Sequence, residues 1–154
     1  MAARALLIGY GNTLRGDDGL GPHVAECLAA DLLPAGRRIA CPELTPELAV
    51  PLSEADLAIF VDASRDRPPG EIACARLAPL PRGQAAFSHA LTPAALLALA
   101  RDLYGACPPA WLLSAGVVTL DYAEGLSPTM RASLPALRKH LRALLAGEGA
   151  TTHA

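Results

Sequence analysis

The chain has 154 residues, is 52% hydrophobic and 18% charged, and carries a formal net charge of −2. That length supports one ordinary domain with a real core, and the composition excludes an intrinsically disordered chain. The basic residues are scattered, which argues against a nucleic-acid partner, and no apolar run approaches the length of a membrane span.

Aromatic residues make up only 4% of the chain, so the core must be built from Leu, Ala, Val and Ile. The elements follow from apolar pattern and punctuation. Residues 4–9 (RALLIG) read as a buried strand. From Pro22, apolar residues at Val24, Cys27, Leu28 and Leu32 form a helical stripe that Pro34 and Gly36 end. Residues 37–42 (RRIACP) predict a second, weaker strand, and Thr45-Pro46 opens a short helix to about Leu52. Leu57 to Val61 (LAIFV) is the clearest buried strand, followed by the loop DRPPG.

Glu71 to Leu77 alternates as a fourth strand. Thr92-Pro93 opens a helix to about Tyr104, closed by Gly105, and residues 110–118 (AWLLSAGVV) give a fifth strand. Ser127-Pro128 opens the last helix, to about Leu145, and residues 146–154 are expected to fray. The helices share one start signal, at Gly21-Pro22, Thr45-Pro46, Thr92-Pro93 and Ser127-Pro128. Proline at the first helical position loses no hydrogen bond, and a preceding Thr or Ser caps free amides. Strand–helix alternation predicts an α/β sandwich with a mostly parallel sheet, in a single domain over 1–154.

The cysteines, Cys27, Cys41, Cys74 and Cys107, are far apart, with no C-x-x-C pair and no zinc-like Cys-His spacing. Buried free thiols are the reading, consistent with a reducing cytoplasm. No signal peptide precedes the first strand, so a soluble intracellular protein is expected.

The chemistry gathers in the opening loop, GYGNTLRGDDGLG, residues 9–21. A dinucleotide fingerprint would need its third glycine where Leu14 stands, and a pyrophosphate would meet Asp17 and Asp18 at the helix start. Helix capping accounts for one aspartate, but two in a row among glycines leave cap and metal ligand both open. Asp62 follows the strand LAIFV, either as a turn residue or as a carboxylate at the carboxyl rim of a parallel sheet, where ligands bind. His89, in AFSHALTP, precedes a helix entered from that rim, or else is an ordinary loop histidine. His23, His140 and His153 are less well placed. Two carboxylates and one imidazole in strand-to-helix loops form an oxygen and nitrogen set suited to Zn²⁺, Ni²⁺ or Mn²⁺, with coordination positions left open.

Three segments, LLIGYGNTLRGDDGLGPHVAECL, LAIFVDAS and SHALTPAALLALA, resemble the successive signatures of the [NiFe]-hydrogenase maturation endopeptidases, over Leu6 to about Leu145. The resemblance implies a three-layer sandwich: a twisted, mostly parallel five-stranded sheet with helices on both faces. It implies an endopeptidase that removes the C-terminal extension of a hydrogenase large-subunit precursor after nickel insertion. It implies Asp18, Asp62 and His89 as the metal-contacting, catalytic residues, with Asp17 as a supporting residue or cap. The family often has glutamate at position 18, so the shorter Asp18 brings the metal nearer the loop backbone.

The nickel is then supplied by the substrate. No permanently bound cofactor is expected, although zinc or cadmium can occupy the site in vitro. Docking reports that insertion is complete and holds the scissile peptide in one geometry, and a metal-polarised carbonyl or an activated water carries the hydrolysis. No Ser-His-Asp pattern and no H-E-x-x-H is present, so the sequence names no nucleophile among Ser64, Ser88 and Cys41. The expected partner is the large-subunit precursor, met by a monomer without nucleic acid or membrane. A small-molecule metallohydrolase with its own zinc and a non-catalytic binder of nickel-loaded precursor are the alternatives.

Overall fold

The computed structural model describes residues 4–82 and 91–147. Five strands form one sheet: β1 (Ala5–Tyr10), β2 (Arg38–Cys41), β3 (Leu57–Pro69), β4 (Ile72–Leu77) and β5 (Ala110–Gly116). Their order across the sheet is β2-β1-β3-β5-β4. All neighbours run parallel except the edge strand β4, which is antiparallel to β5.

Alternation along the strands sends side chains to two cores. Leu7, Ile59, Val61 and Leu113 pack on one face with Leu20, Val24 and Ala25, and with Met130, Leu137 and Leu141. Leu6, Ile8, Ala58 and Phe60 pack on the other with Leu52, Leu96 and Leu97. Helices α1 (Leu20–His23) and α4 (Pro128–Leu145) therefore cover one face, and α2 (Ala49–Ser53) and α3 (Pro93–Tyr104) the other. This is the three-layer sandwich the sequence predicted. Because β1 is followed on its two sides by β2 and β3, the connections diverge between β1 and β3, the position at which open parallel sheets leave a crevice at their carboxyl ends.

The helix starts are mixed. Thr92 and Ser127 accept the Ala95 and Met130 amides at 3.1 Å each, as expected of caps, and Gly105 closes α3 with φ +77°. Thr45 makes no side-chain cap bond. The first helical run does not begin at Gly21-Pro22: a tight 3-10 turn, Gly16–Gly19, leads directly into Leu20, and Pro22 falls inside the first α-turn. That turn widens into a π-turn over Val24–Leu28, where the Ala29 amide donates to the Val24 carbonyl at 2.9 Å. The widening rotates Cys27 off the predicted apolar stripe, so Cys27 is exposed and only Cys74 of the four free cysteines is buried.

The third strand also differs. It does not stop at Val61 but runs to Pro69, so Asp62 lies within it rather than after it. The reason is backbone pairing: Asp62, Ala63 and Ser64 continue the parallel ladder with Ser114, Ala115 and Gly116 of β5, although their side chains no longer alternate in hydrophobicity. Past an irregularity the strand arches over, and Pro69 returns to pair with Gly116. The fifth strand ends at Gly116, two residues short of its predicted end.

Candidate functional site

The loop after β1 owes its shape to close backbone approach. A Cβ on Gly9 would strike the Gly21 carbonyl, and one on Gly21 would strike the backbone of Tyr10 and Val61. Only glycines let α1 begin directly against the sheet. Gly16, at φ +57°, donates its amide to Ala123 at 2.9 Å, and Ala123 donates back to Leu14 at 2.9 Å. The loop is thereby laced to the connection between β5 and α4.

The adjacent aspartates have opposite fates. Asp17 is fully buried, and its carboxylate accepts the Val118 amide at 2.8 Å, the Ser127 amide at 2.7 Å and the Ser127 hydroxyl at 2.8 Å. It is a supporting residue, and it makes no cap bond to the turn it belongs to. Asp18 turns the other way, accepts the Asn12 amide at 2.7 Å, and lines a cavity of about 700 Å³ at the carboxyl rim.

Asp62 lines the same cavity, as do Tyr10, Glu43, Arg65 and Ser114. The crevice expected between β1 and β3 is thus where the two predicted carboxylates meet. Burial pushes the Asp62 carboxyl up to about 6, and the nearby Asp18 charge adds to the rise. Hydrogen bonds from the Tyr10 hydroxyl and the Ala63 amide, with the Arg65 charge, oppose it. The Tyr10 phenol is itself raised, first by burial and then by the Asp62 charge beside it. The cavity therefore holds one carboxylate that keeps its proton to a higher pH than a solvated aspartate does.

His89 lies outside the described residues. Among the described residues no group of three or more His, Cys, Asp and Glu side chains is placed to hold a metal ion, so the pair Asp18 and Asp62 is what the structure brings together. His23 lines a separate cavity of about 380 Å³ with Cys27 and Arg131.

No protein-family model matches the chain, and no curated protein matches it. Solved structures do. The hydrogenase maturating endopeptidase HybD from E. coli superposes with a TM-score of 0.70 at 25% identity, covering 95% of this chain and 94% of that one. The hydrogenase 2 maturation peptidase from a Thaumarchaeota archaeon superposes with a TM-score of 0.67 at 28% identity, covering 94% and 99%. Over nearly its whole length the chain is similar to the [NiFe]-hydrogenase maturation endopeptidases. A third structure, the [NiFe] hydrogenase maturation protease HycI from Thermococcus kodakarensis KOD1, shares the fold with a TM-score of 0.67 at 23% identity, covering 96% and 93%.

Two cavity residues carry no sequence signal that singles them out. Tyr10 ends an apolar strand and reads as core, and Ser114 sits mid-strand in AWLLSAG. Both are found only once the strand register is known, because register sets them level with Asp62. Among the described residues, no helix is long and apolar enough to cross a membrane.

Proposed function

We propose that this chain removes the C-terminal extension of a [NiFe]-hydrogenase large-subunit precursor once nickel has been inserted, and that it recognises the nickel on the substrate. The observation that carries this reading is that Asp18 and Asp62, from the first and third strand regions, face one cavity at the carboxyl rim. Hard carboxylate oxygens suit a divalent cation, and two of them leave coordination positions for the donors that the substrate brings. His89 is proposed as the third contact, Asp17 as the residue that holds the loop, and the nickel as cargo of the substrate rather than a resident cofactor.

In this reading the residues act by orientation. Asp18 and Asp62 grip the loaded site of the precursor, which fixes the peptide beyond it and turns a bimolecular encounter into an oriented one. Asp62 enters as the acid in the free protein below about pH 6 and as the ligand above it. The free thiols support a reducing compartment, and we propose a cytoplasmic, monomeric, single-domain protein that meets its client transiently.

The test is incubation with a nickel-loaded precursor, read by mass spectrometry. The intact protein is expected to shorten the precursor at its C-terminus, and Asp18→Asn, Asp62→Asn and His89→Ala to leave it whole. The unloaded precursor should stay uncut. Cleavage that ignores nickel, or that survives all three substitutions, rejects the reading. Stoichiometric zinc in protein purified without added metal, with hydrolysis of small substrates, would favour a metallohydrolase instead.

A further inference from the structure

The glycine loop after β1 is a wall with a cavity on each side. Gly11 and Asp18 line the cavity at the carboxyl rim. Thr13, Gly16 and Gly19 line the separate cavity of about 380 Å³ that also holds Cys27. Asp18 and Gly19 are consecutive residues lining different cavities, so one chain's thickness divides the two. Across the second cavity stand Leu126 and Leu134. The Arg131 Nε donates to the Leu126 carbonyl at 3.1 Å and fixes that far wall.

Two exposed apolar side chains stand on the segments that build this second cavity. Leu14, between Thr13 and Gly16, is 55% exposed, and Tyr122, three residues before the lining Gly125, is 80% exposed. Single exposed apolar residues are common, but these two are brought together. The Ala123 amide donates to the Leu14 carbonyl and the Gly16 amide to the Ala123 carbonyl, at 2.9 Å each. The resulting parallel bridge, Arg15 to Ala123, sets Leu14 level with Tyr122. The Arg15 guanidinium lies 5.1 Å from the centre of the Tyr122 ring, and its Nε donates to the Leu120 carbonyl at 3.1 Å. An apolar rim held in one geometry beside a concave site is what a binding surface requires, because little ordering remains to be done on contact.

The rim is continuous with the metal-facing side of the loop. The Asn12 amide donates to the Asp18 carboxylate at 2.7 Å, and the Asn12 side-chain oxygen accepts the Leu14 amide at 2.9 Å. One asparagine therefore ties Leu14 to Asp18. We infer that the second cavity, with Leu14 and Tyr122 on its rim, is a docking site for an apolar side chain of the hydrogenase large-subunit precursor. The client straddles the glycine loop, with its nickel site in one cavity and an apolar anchor in the other. The inference rests on the proposed function. Once either contact forms, the other becomes intramolecular, so the second cavity adds affinity without reading the metal.

The test uses two variants and two readouts. Cys27→Trp plugs the cavity from an exposed position, and Leu14→Ser with Tyr122→Ser strips its rim. Far-ultraviolet circular dichroism checks the fold, and the rim variant carries the test alone if the tryptophan disturbs the π-turn. Binding of immobilised precursor, loaded and unloaded, should weaken about tenfold in each variant and by the same factor for both forms. Cleavage of loaded precursor should show KM raised about tenfold with kcat kept, the mark of lost uniform binding. Leu103→Ser, at a side chain 62% exposed near the end of α3, should change neither readout. Variants that bind and cleave like the parent overturn the inference. So does a loss confined to loaded precursor, which would place the effect at the metal contacts, or an equal loss in Leu103→Ser. A parent that sediments as a dimer and becomes monomeric in both variants would assign the rim to a second copy of the chain and overturn it as well. A parent that neither binds nor cleaves the precursor rejects the proposed function itself, and the inference with it, before any variant is compared.

Discussion

The Asp17 carboxylate and Ser127, at the start of the last helix, are joined twice: the Ser127 amide donates at 2.7 Å and its hydroxyl at 2.8 Å. The same hydroxyl oxygen accepts the Met130 amide at 3.1 Å, so one serine caps α4 and anchors the glycine loop together. With the Val118 amide also donating, a fully buried carboxylate has three partners and the loop that presents Asp18 is tied to the opposite end of the chain.

Asp17→Asn is expected to destabilise the fold by about 2 kcal/mol or more. The amide would set a donor against donors that now converge on the carboxylate, and an unsatisfied buried group costs roughly 1–3 kcal/mol, more where charge was involved. Thermal unfolding followed by circular dichroism checks this. An unchanged midpoint would show that the loop is held by its backbone bonds alone.

Asp62→Asn is expected to make the free protein more stable at neutral pH while abolishing activity. The folded carboxyl is raised to about 6 from an ordinary value of 3.8. Between those values the unfolded chain has already released a proton that the folded chain retains, so stability falls as pH rises through that window and is level above it. A shift of about two units corresponds to roughly 3 kcal/mol at most. Denaturant titrations of parent and variant at pH 4 and pH 7.5 decide the matter: the variant's advantage should be near zero at the first and positive at the second. An advantage independent of pH would remove the titration argument.

Gly9→Ala is expected to prevent normal folding or to cost several kcal/mol. The added methyl meets the Gly21 carbonyl, a backbone atom that cannot swing aside as a side chain would. Gly36→Ala is the comparison, since nothing lies within 4 Å of its Cβ position. Expression and melting of the two variants should differ sharply, and equal behaviour would show that α1 can retreat from the sheet.

Much of this was legible in the sequence, for identifiable reasons. LAIFV and ALLIG read as strands because both faces of a central parallel strand are buried, which writes a continuous apolar run. Thr92 and Ser127 read as caps because the chemistry is local. The extension of β3 past Asp62 was not legible, since its pairing with β5 is made by backbone groups that leave no side-chain pattern. Asp17 and Asp18 look alike as letters, and only the connection folding back over the loop buries one and exposes the other. Tyr10 was hidden for the reason that makes it informative: its relation to Asp62 exists through register between strands about fifty residues apart in the chain.

The long third strand also has a bearing on how such a protein changes its client. Asp62 is held in a ladder with β5 beyond a rigid pairing with β1, so its location is inherited with the sheet itself. Glu43 and Arg65 border the same cavity from outside that shared pairing, Glu43 from the segment after β2 and Arg65 from the arch. Divergence toward a new precursor can therefore rewrite the rim around position 43 and around position 65 without moving the acid at the centre. A graft of those two edges from a homologue is therefore expected to leave the Asp62 backbone where the sheet holds it.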